Sequence, residues 1–240
     1  MKKLFLLIVL TLFSYTSQSQ ILISLLLGDK LNSGKIEFGL DGGWNLSKLN
    51  GLDNSDGLST FNLGFYFDLK VFKNPQWMIN TGVIVKSTQG ADDIPVYSLN
   101  NAALDSSFAG GFVRRKVNYF DVPIEMKYVF KNRIFVKGGI MLGLRYKGTD
   151  EFINDIEDDE DLLLKIDTRK KYHPIDAGGV VGAGYRFTKG NGMNLNFRYY
   201  FGFVDISIDD STPNQYNQTF YITVGIPIGK GKAAEKESTN

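Results

Sequence analysis

Residues 194–203 place Leu195, Phe197, Tyr199, Phe201 and Phe203 at every second position, with polar or small residues between them. Period two puts all the apolar groups on one face of a strand. The rhythm recurs and predicts eight strands, at 35–46, 59–72, 77–87, 115–129, 133–147, 174–187, 193–205 and 216–228. In the second, Phe61, Leu63, Phe65, Phe67 and Leu69 alternate with Asn62, Gly64, Tyr66, Asp68 and Lys70. In the fifth, Ile134, Val136, Ile140, Leu142, Leu144 and Tyr146 share a face.

The connections alternate in length. Those after the second, fourth and sixth strands have about three to five residues, and the others run from about ten to about twenty-seven. Short periplasmic turns and long external loops are the habit of outer-membrane barrels. The expected fold is therefore all-β, an eight-stranded antiparallel up-and-down transmembrane β-barrel over residues 35–228. Its long external loops are 88–114 and 148–173.

Alternation alone does not say which face meets lipid. Most strand glycines, among them Gly39, Gly43, Gly64, Gly82, Gly139, Gly143, Gly182 and Gly184, share parity with the polar face. Eight strands leave an interior just wide enough for side chains, so the small residues mark the crowded inside. Trp77, Tyr128, Phe130, Tyr185 and Phe187 flank the short turns on the apolar face, and Trp44, Phe61 and Tyr146 flank the long loops. Two aromatic rings at the strand ends match interfacial girdles. The greasy face is expected to meet lipid.

By that parity the lumen receives Glu37, Asp41, Asp68, Asp121, Glu125 and Asp176 against Lys70, Lys86, Lys127, Lys137, Arg145, Arg186 and Arg198. Buried charges must pair, because an unpaired one costs several kcal/mol. An interlocked network that plugs the barrel is expected, with a narrow ion path as the alternative.

The chain ends add targeting. Met1-Lys2-Lys3, the apolar run from Leu4 to Phe13 and the exit Ser17-Gln18-Ser19 fit a signal peptide over 1–19. Residues 20–34 read as a periplasmic lead and 229–240 as a disordered periplasmic tail. The chain has no cysteine, which excludes disulfide and thiol chemistry. A net charge of +1 gives no global attraction to nucleic acid. A mean hydropathy of −0.13 suits a barrel, in which only alternate strand residues face lipid.

The run Asn118-Tyr119-Phe120-Asp121-Val122-Pro123-Ile124-Glu125-Met126-Lys127-Tyr128 resembles a strand of the PorT-like outer-membrane β-barrel family of Bacteroidetes. So do Val136-Lys137-Gly138-Gly139, the run Gly178 to Gly184, and Asn194-Leu195-Asn196-Phe197-Arg198-Tyr199. The resemblance covers roughly 35–228. It implies an eight-stranded outer-membrane barrel with no cofactor and no assigned catalytic residue, in a family whose namesake is tied to protein secretion and gliding.

Two patches carry candidate chemistry. The acidic run Glu157-Asp158-Asp159-Glu160-Asp161, with Asp155 and Asp167 nearby, has the carboxylates that calcium or bridged lipopolysaccharide wants. It lacks the glycine and spacing of an EF-hand loop, which favours a solvated loop. Arg169, Lys170 and Lys171 beyond it suit ion pairs or lipid phosphates. His173, the only histidine, with Ser207 or Ser211 and Asp176 would compose an acyl-transfer set. No nucleophile motif surrounds either serine. The expectation is a non-catalytic, monomeric barrel of the outer membrane with a structural or interaction role and no catalytic, cofactor or metal residue. Its expected partners are outer-membrane lipid or lipopolysaccharide and envelope or secretion proteins, not nucleic acid. A lipid-modifying enzyme, a narrow channel and a periplasmic lipid-binding barrel are the alternatives.

Overall fold

The computed structural model describes residues 35–155, 161–187, 192–209 and 213–228. The expected signal peptide 1–19, lead 20–34 and tail 229–240 lie outside the described residues. The strands are β1 Ile36–Asn50, β2 Asp56–Leu69, β3 Trp77–Pro95, β4 Phe112–Val129, β5 Ile134–Asp155, β6 Asp161–Asp167, β7 Ile175–Arg186, β8 Asn194–Gly202 and β9 Tyr216–Pro227. A short helix, α1 Ala102–Ser107, sits between β3 and β4.

Eight of these strands close a ring. The order is β4-β3-β2-β1-β9-β8-β7-β5, and β5 returns to β4. Every pairing is antiparallel. The expected all-β up-and-down barrel is the observed one. The ninth strand, β6, pairs only with the upper part of β5, Thr149–Asp155.

The alternation resolves as the glycine parity requires. On β5, Ile134, Val136, Ile140, Leu142 and Leu144 are exposed, while Phe135, Lys137 and Met141 are buried. On β8, Phe197 and Tyr199 face out, and Asn194, Asn196, Arg198 and Tyr200 face in. At the seam of first and last strands, a methyl on Gly43 would overlap the Ile222 carbonyl. Only glycine allows that approach.

One luminal assignment is corrected. Lys86 is exposed, with its ammonium 5.6 Å from the centroid of the Phe61 ring. The cause is a bulge in β3 between Ile84 and Ser87. Across it the inward positions change from Gly82 and Ile84 to Ser87, Gln89 and Ala91. An extra residue reverses the facing of everything beyond it. Tyr146 is the extra residue of a second bulge, since Tyr119 pairs with Arg145 but Asn118 with Lys147. Lys70 and Arg145 sit half-buried at the two rims.

The same bulges explain a second difference. Residues 88–114 and 148–173, expected as loops, are strand in part: β3 and β5 run on to Pro95 and Asp155, β4 starts at Phe112, and β6 adds Asp161–Asp167. These extensions enclose a core of their own. Leu49, Ala91, Ile94, Phe108, Val113, Val117, Tyr119, Phe152, Tyr172 and Ile206 are buried together at the long-connection end. Leu162, Leu164 and Ile166 of β6 pack against that core. α1 is started by Asn101, whose side chain accepts from the amides of Ala103 and Leu104. The barrel thus carries a folded cap instead of free loops.

Candidate functional site: a filled lumen under an external cap

The lumen near the short turns holds one connected charge network. Arg186 donates to Glu37 at 2.9 Å and to Asp68 at 3.2 Å. Lys127 reaches the same Asp68 oxygen at 2.6 Å. Asn80 links two halves: its amide donates to Asp68 at 2.7 Å, and its carbonyl accepts from Lys137 at 3.1 Å. Lys137 and Arg198 then meet on one oxygen of Glu125, at 3.0 and 2.9 Å. Seven ring strands contribute: β1, β2, β3, β4, β5, β7 and β8.

Above it lies an apolar layer the alternation did not single out. Ile84, Met141, Val180, Tyr200 and Tyr221 pack across the interior. A second polar layer follows. Gln89 donates to Asp121 at 3.2 Å, Thr219 to Gln89 at 3.0 Å, and Asn217 to Asp176 at 2.8 Å and to the Tyr119 hydroxyl at 3.2 Å.

The cap is organised around Asp150, fully buried and held by Arg115 at 2.9 Å and by the Tyr97 hydroxyl at 2.9 Å. Burial and the Asp150 charge push the Tyr97 phenol well up, and burial does the same for Tyr172 despite the Arg115 charge beside it. Both phenols are neutral at physiological pH. Beside them opens a cleft of about 410 Å³, lined by Tyr97, Arg115, Lys170, Lys171, Tyr172, Ser207, Ile208, Asp209 and Gln215. Asp205 shapes its wall by accepting the amides of Ser207 at 3.0 Å and Gln215 at 2.8 Å.

The acyl-transfer candidates are not assembled. His173 is exposed, its amide donating to Ile206 and its carbonyl accepting from Arg145. Asp176 points into the lumen to Asn217. Ser207 is buried and accepts from the Asp209 amide at 3.2 Å, and Ser211 lies outside the described residues. Residues 157–160 of the acidic run also lie outside them, and Asp167 accepts the Arg169 amide at 2.8 Å. Among the described residues no group of three or more His, Asp or Glu could hold a metal ion. No spacing along the chain points to the cleft. Its only trace there is aromatic and apolar residues too numerous for solvated loops, such as Tyr97, Phe108, Phe152 and Ile206.

A closed eight-stranded ring with lipid-facing apolar residues, girdles such as Trp77 against Tyr128 and Phe120 against Tyr146, and a charge-filled interior defines an integral outer-membrane β-barrel. The family assignment agrees. The chain matches the model of the outer membrane protein beta-barrel domain over residues 17–207 and belongs to that family, so it is an outer-membrane protein. Solved structures resemble it in fold alone. Ail of Yersinia pestis is 13% identical, with 80% of this chain and 97% of that one covered and a TM-score of 0.40. OprG of Pseudomonas aeruginosa is 14% identical, with 84% and 100% covered and a TM-score of 0.41. Neisserial surface protein A is 11% identical, with 79% and 96% covered and a TM-score of 0.42. No curated protein matches the chain.

Proposed function

We propose that this chain is a non-catalytic, monomeric barrel of PorT-like type, a plugged membrane anchor that presents its folded cap to envelope or secretion partners. Residues 1–19 serve as its signal peptide, 20–34 as a periplasmic lead and 229–240 as a periplasmic tail. The observation that carries the reading is the Asn80-linked network, with the apolar layer and the cap core stacked above it. An ion crossing it must break buried charge pairs, each worth about 3–5 kcal/mol when one partner is lost. Loops on a rigid scaffold are where such proteins carry recognition. Single-channel recording of the purified protein in planar bilayers tests the reading. No steady openings are expected, and a reproducible conducting state defeats the plug.

A further inference from the structure

We propose that the cap cleft binds a phosphate group carried on a sugar, supplied by the lipid A region of the surrounding outer leaflet. The inference deepens the interaction role above and rests on its reading that the cap end faces outward.

Three observations converge. The first is charge. Lys170 and Lys171 line the cleft and form no ion pair among the described residues; the Lys171 ammonium lies only over the Tyr97 ring, at 4.9 Å. Arg115 below them is neutralised by Asp150, and among the described residues Asp209 is the one carboxylate on the lining, with Asp205 behind it engaged by the amides of Ser207 and Gln215. The described lining is net positive.

The second is unspent donor capacity. Gln215 is 6% exposed; its carbonyl accepts from Arg115 at 3.5 Å, and its amide nitrogen has no acceptor among the described residues. Ser207 is 8% exposed; its oxygen accepts the Asp209 amide, so its own proton remains to donate. Two ammoniums, an amide and a hydroxyl around one cavity suit a tetrahedral oxyanion, and charge-assisted bonds of this kind are the strong ones. The half-buried Tyr97 adds ring surface against which a sugar packs, and Tyr172, 2% exposed, supports the wall from behind.

The third is height. The turn 168–171 hangs from β5 by the Thr168 amide, which donates to the Gly148 carbonyl at 3.0 Å. Gly148 stands two residues beyond Tyr146 of the outer girdle, roughly 7 Å along the strand. Exposed Lys147 and Arg169 flank it. That is the level at which lipid phosphates lie beside a barrel.

The full chain in detergent micelles is titrated calorimetrically with diphosphoryl lipid A, with dephosphorylated lipid A of the same acyl chains, and with glucosamine 6-phosphate. The phosphorylated lipid should bind at least about tenfold tighter than the dephosphorylated one. The K170Q/K171Q variant should lose that preference and K170R/K171R keep it. Both lysines lie in a turn outside the packed core, and an unchanged melting temperature verifies the fold. Binding of glucosamine 6-phosphate as tight as that of the lipid upholds the phosphate chemistry and overturns the membrane source. No phosphate preference, or one that survives K170Q/K171Q, overturns the site. Conductance plays no part in this readout, so failure of the plug and failure of the cleft are distinguishable.

Discussion

Replacing Glu125 with glutamine tests the lumen most directly. One Glu125 oxygen takes Lys137 Nζ at 3.0 Å and Arg198 Nη2 at 2.9 Å, and all three side chains are at most 4% exposed. At an effective dielectric of about 20, each contact carries roughly 5 kcal/mol of gross attraction. Desolvation cancels much of that gain, but it is not recovered when one partner is removed. Losing a single partner of a buried pair costs about 3–5 kcal/mol. Glu125→Gln leaves two cations around a neutral amide. Both lie within 3.0 Å of one atom, hence no more than about 6 Å apart, and they repel by roughly 3 kcal/mol at that dielectric. The loss should reach or exceed the top of the range. Arg198→Met leaves Glu125 its bond to Lys137 and should cost clearly less. The double variant E125Q/R198M should be more stable than E125Q alone, because it removes one of the stranded cations. Reversible guanidinium unfolding in lipid vesicles, followed by the half-exposed Trp44 and Trp77, reads all three. If E125Q is no worse than R198M, or if the two losses add within about 0.5 kcal/mol, the network does not act as a coupled unit.

Ile140→Arg, midway along the lipid face between Ile134 and Tyr146, should cost about 2–4 kcal/mol in the same assay, and Tyr146→Arg about 0–1 kcal/mol; equal costs would deny that this face crosses hydrocarbon. Phe152 is fully buried between Tyr97 at 4.9 Å and Phe108 at 5.7 Å. Phe152→Ala should lower cap stability by about 3–5 kcal/mol and speed proteolysis within 96–111 while the barrel stays resistant. The Leu99 amide and Ser98 hydroxyl, each 2.7 Å from the Asp105 carboxylate, hold that carboxyl below the ordinary 3.8. Its stabilising contribution is present above the unfolded value and lost as pH falls through the lowered folded one. Hydrogen-exchange protection of the Leu99 amide should therefore be flat from pH 7 to pH 5 and fall only below 3.8; a loss at higher pH contradicts the assignment.

How far the fold was legible turns on where period two is unbroken. From Ile134 to Leu144, and from Asn194 to Tyr200, inside and outside follow the sequence residue by residue, and the luminal ions Glu37, Asp68, Glu125, Lys127, Lys137, Arg186 and Arg198 fall where parity puts them. Beyond the bulges at 85–86 and Tyr146 the parity reverses. Period-two parity therefore puts Lys86 on the wrong face, and the strand extensions read as aperiodic. The cleft was hidden for another reason. Tyr97, Arg115, Lys170, Gln215 and their neighbours come from four separate connections or strand ends, and no spacing along the chain announces their meeting. The apolar residues inside the expected loops were the usable signal, since solvated loops have no need of Phe108, Phe152 or Leu162 to Leu164.

Why the interior is charged at all follows from the lipid outside. A buried ion network is no better for stability than well-packed apolar residues of the same volume. A barrel filled with leucine, however, would present nearly the same surface whichever way its strands faced. In this chain a one-residue slip of β4 or β5 would turn Glu125 and Lys127, or Lys137, toward hydrocarbon and bring Ile124, Met126 and Val136 inside. A cation placed there costs about 2–4 kcal/mol at the midplane and less toward the Trp77–Tyr128 girdle, beside which Lys127 and its partner Lys137 lie. The alternation therefore penalises every odd register several times over, while the Asn80 bridge and the doubly bonded Asp68 and Glu125 reward the native one. The luminal charges act mainly as a device for choosing one register and one inside.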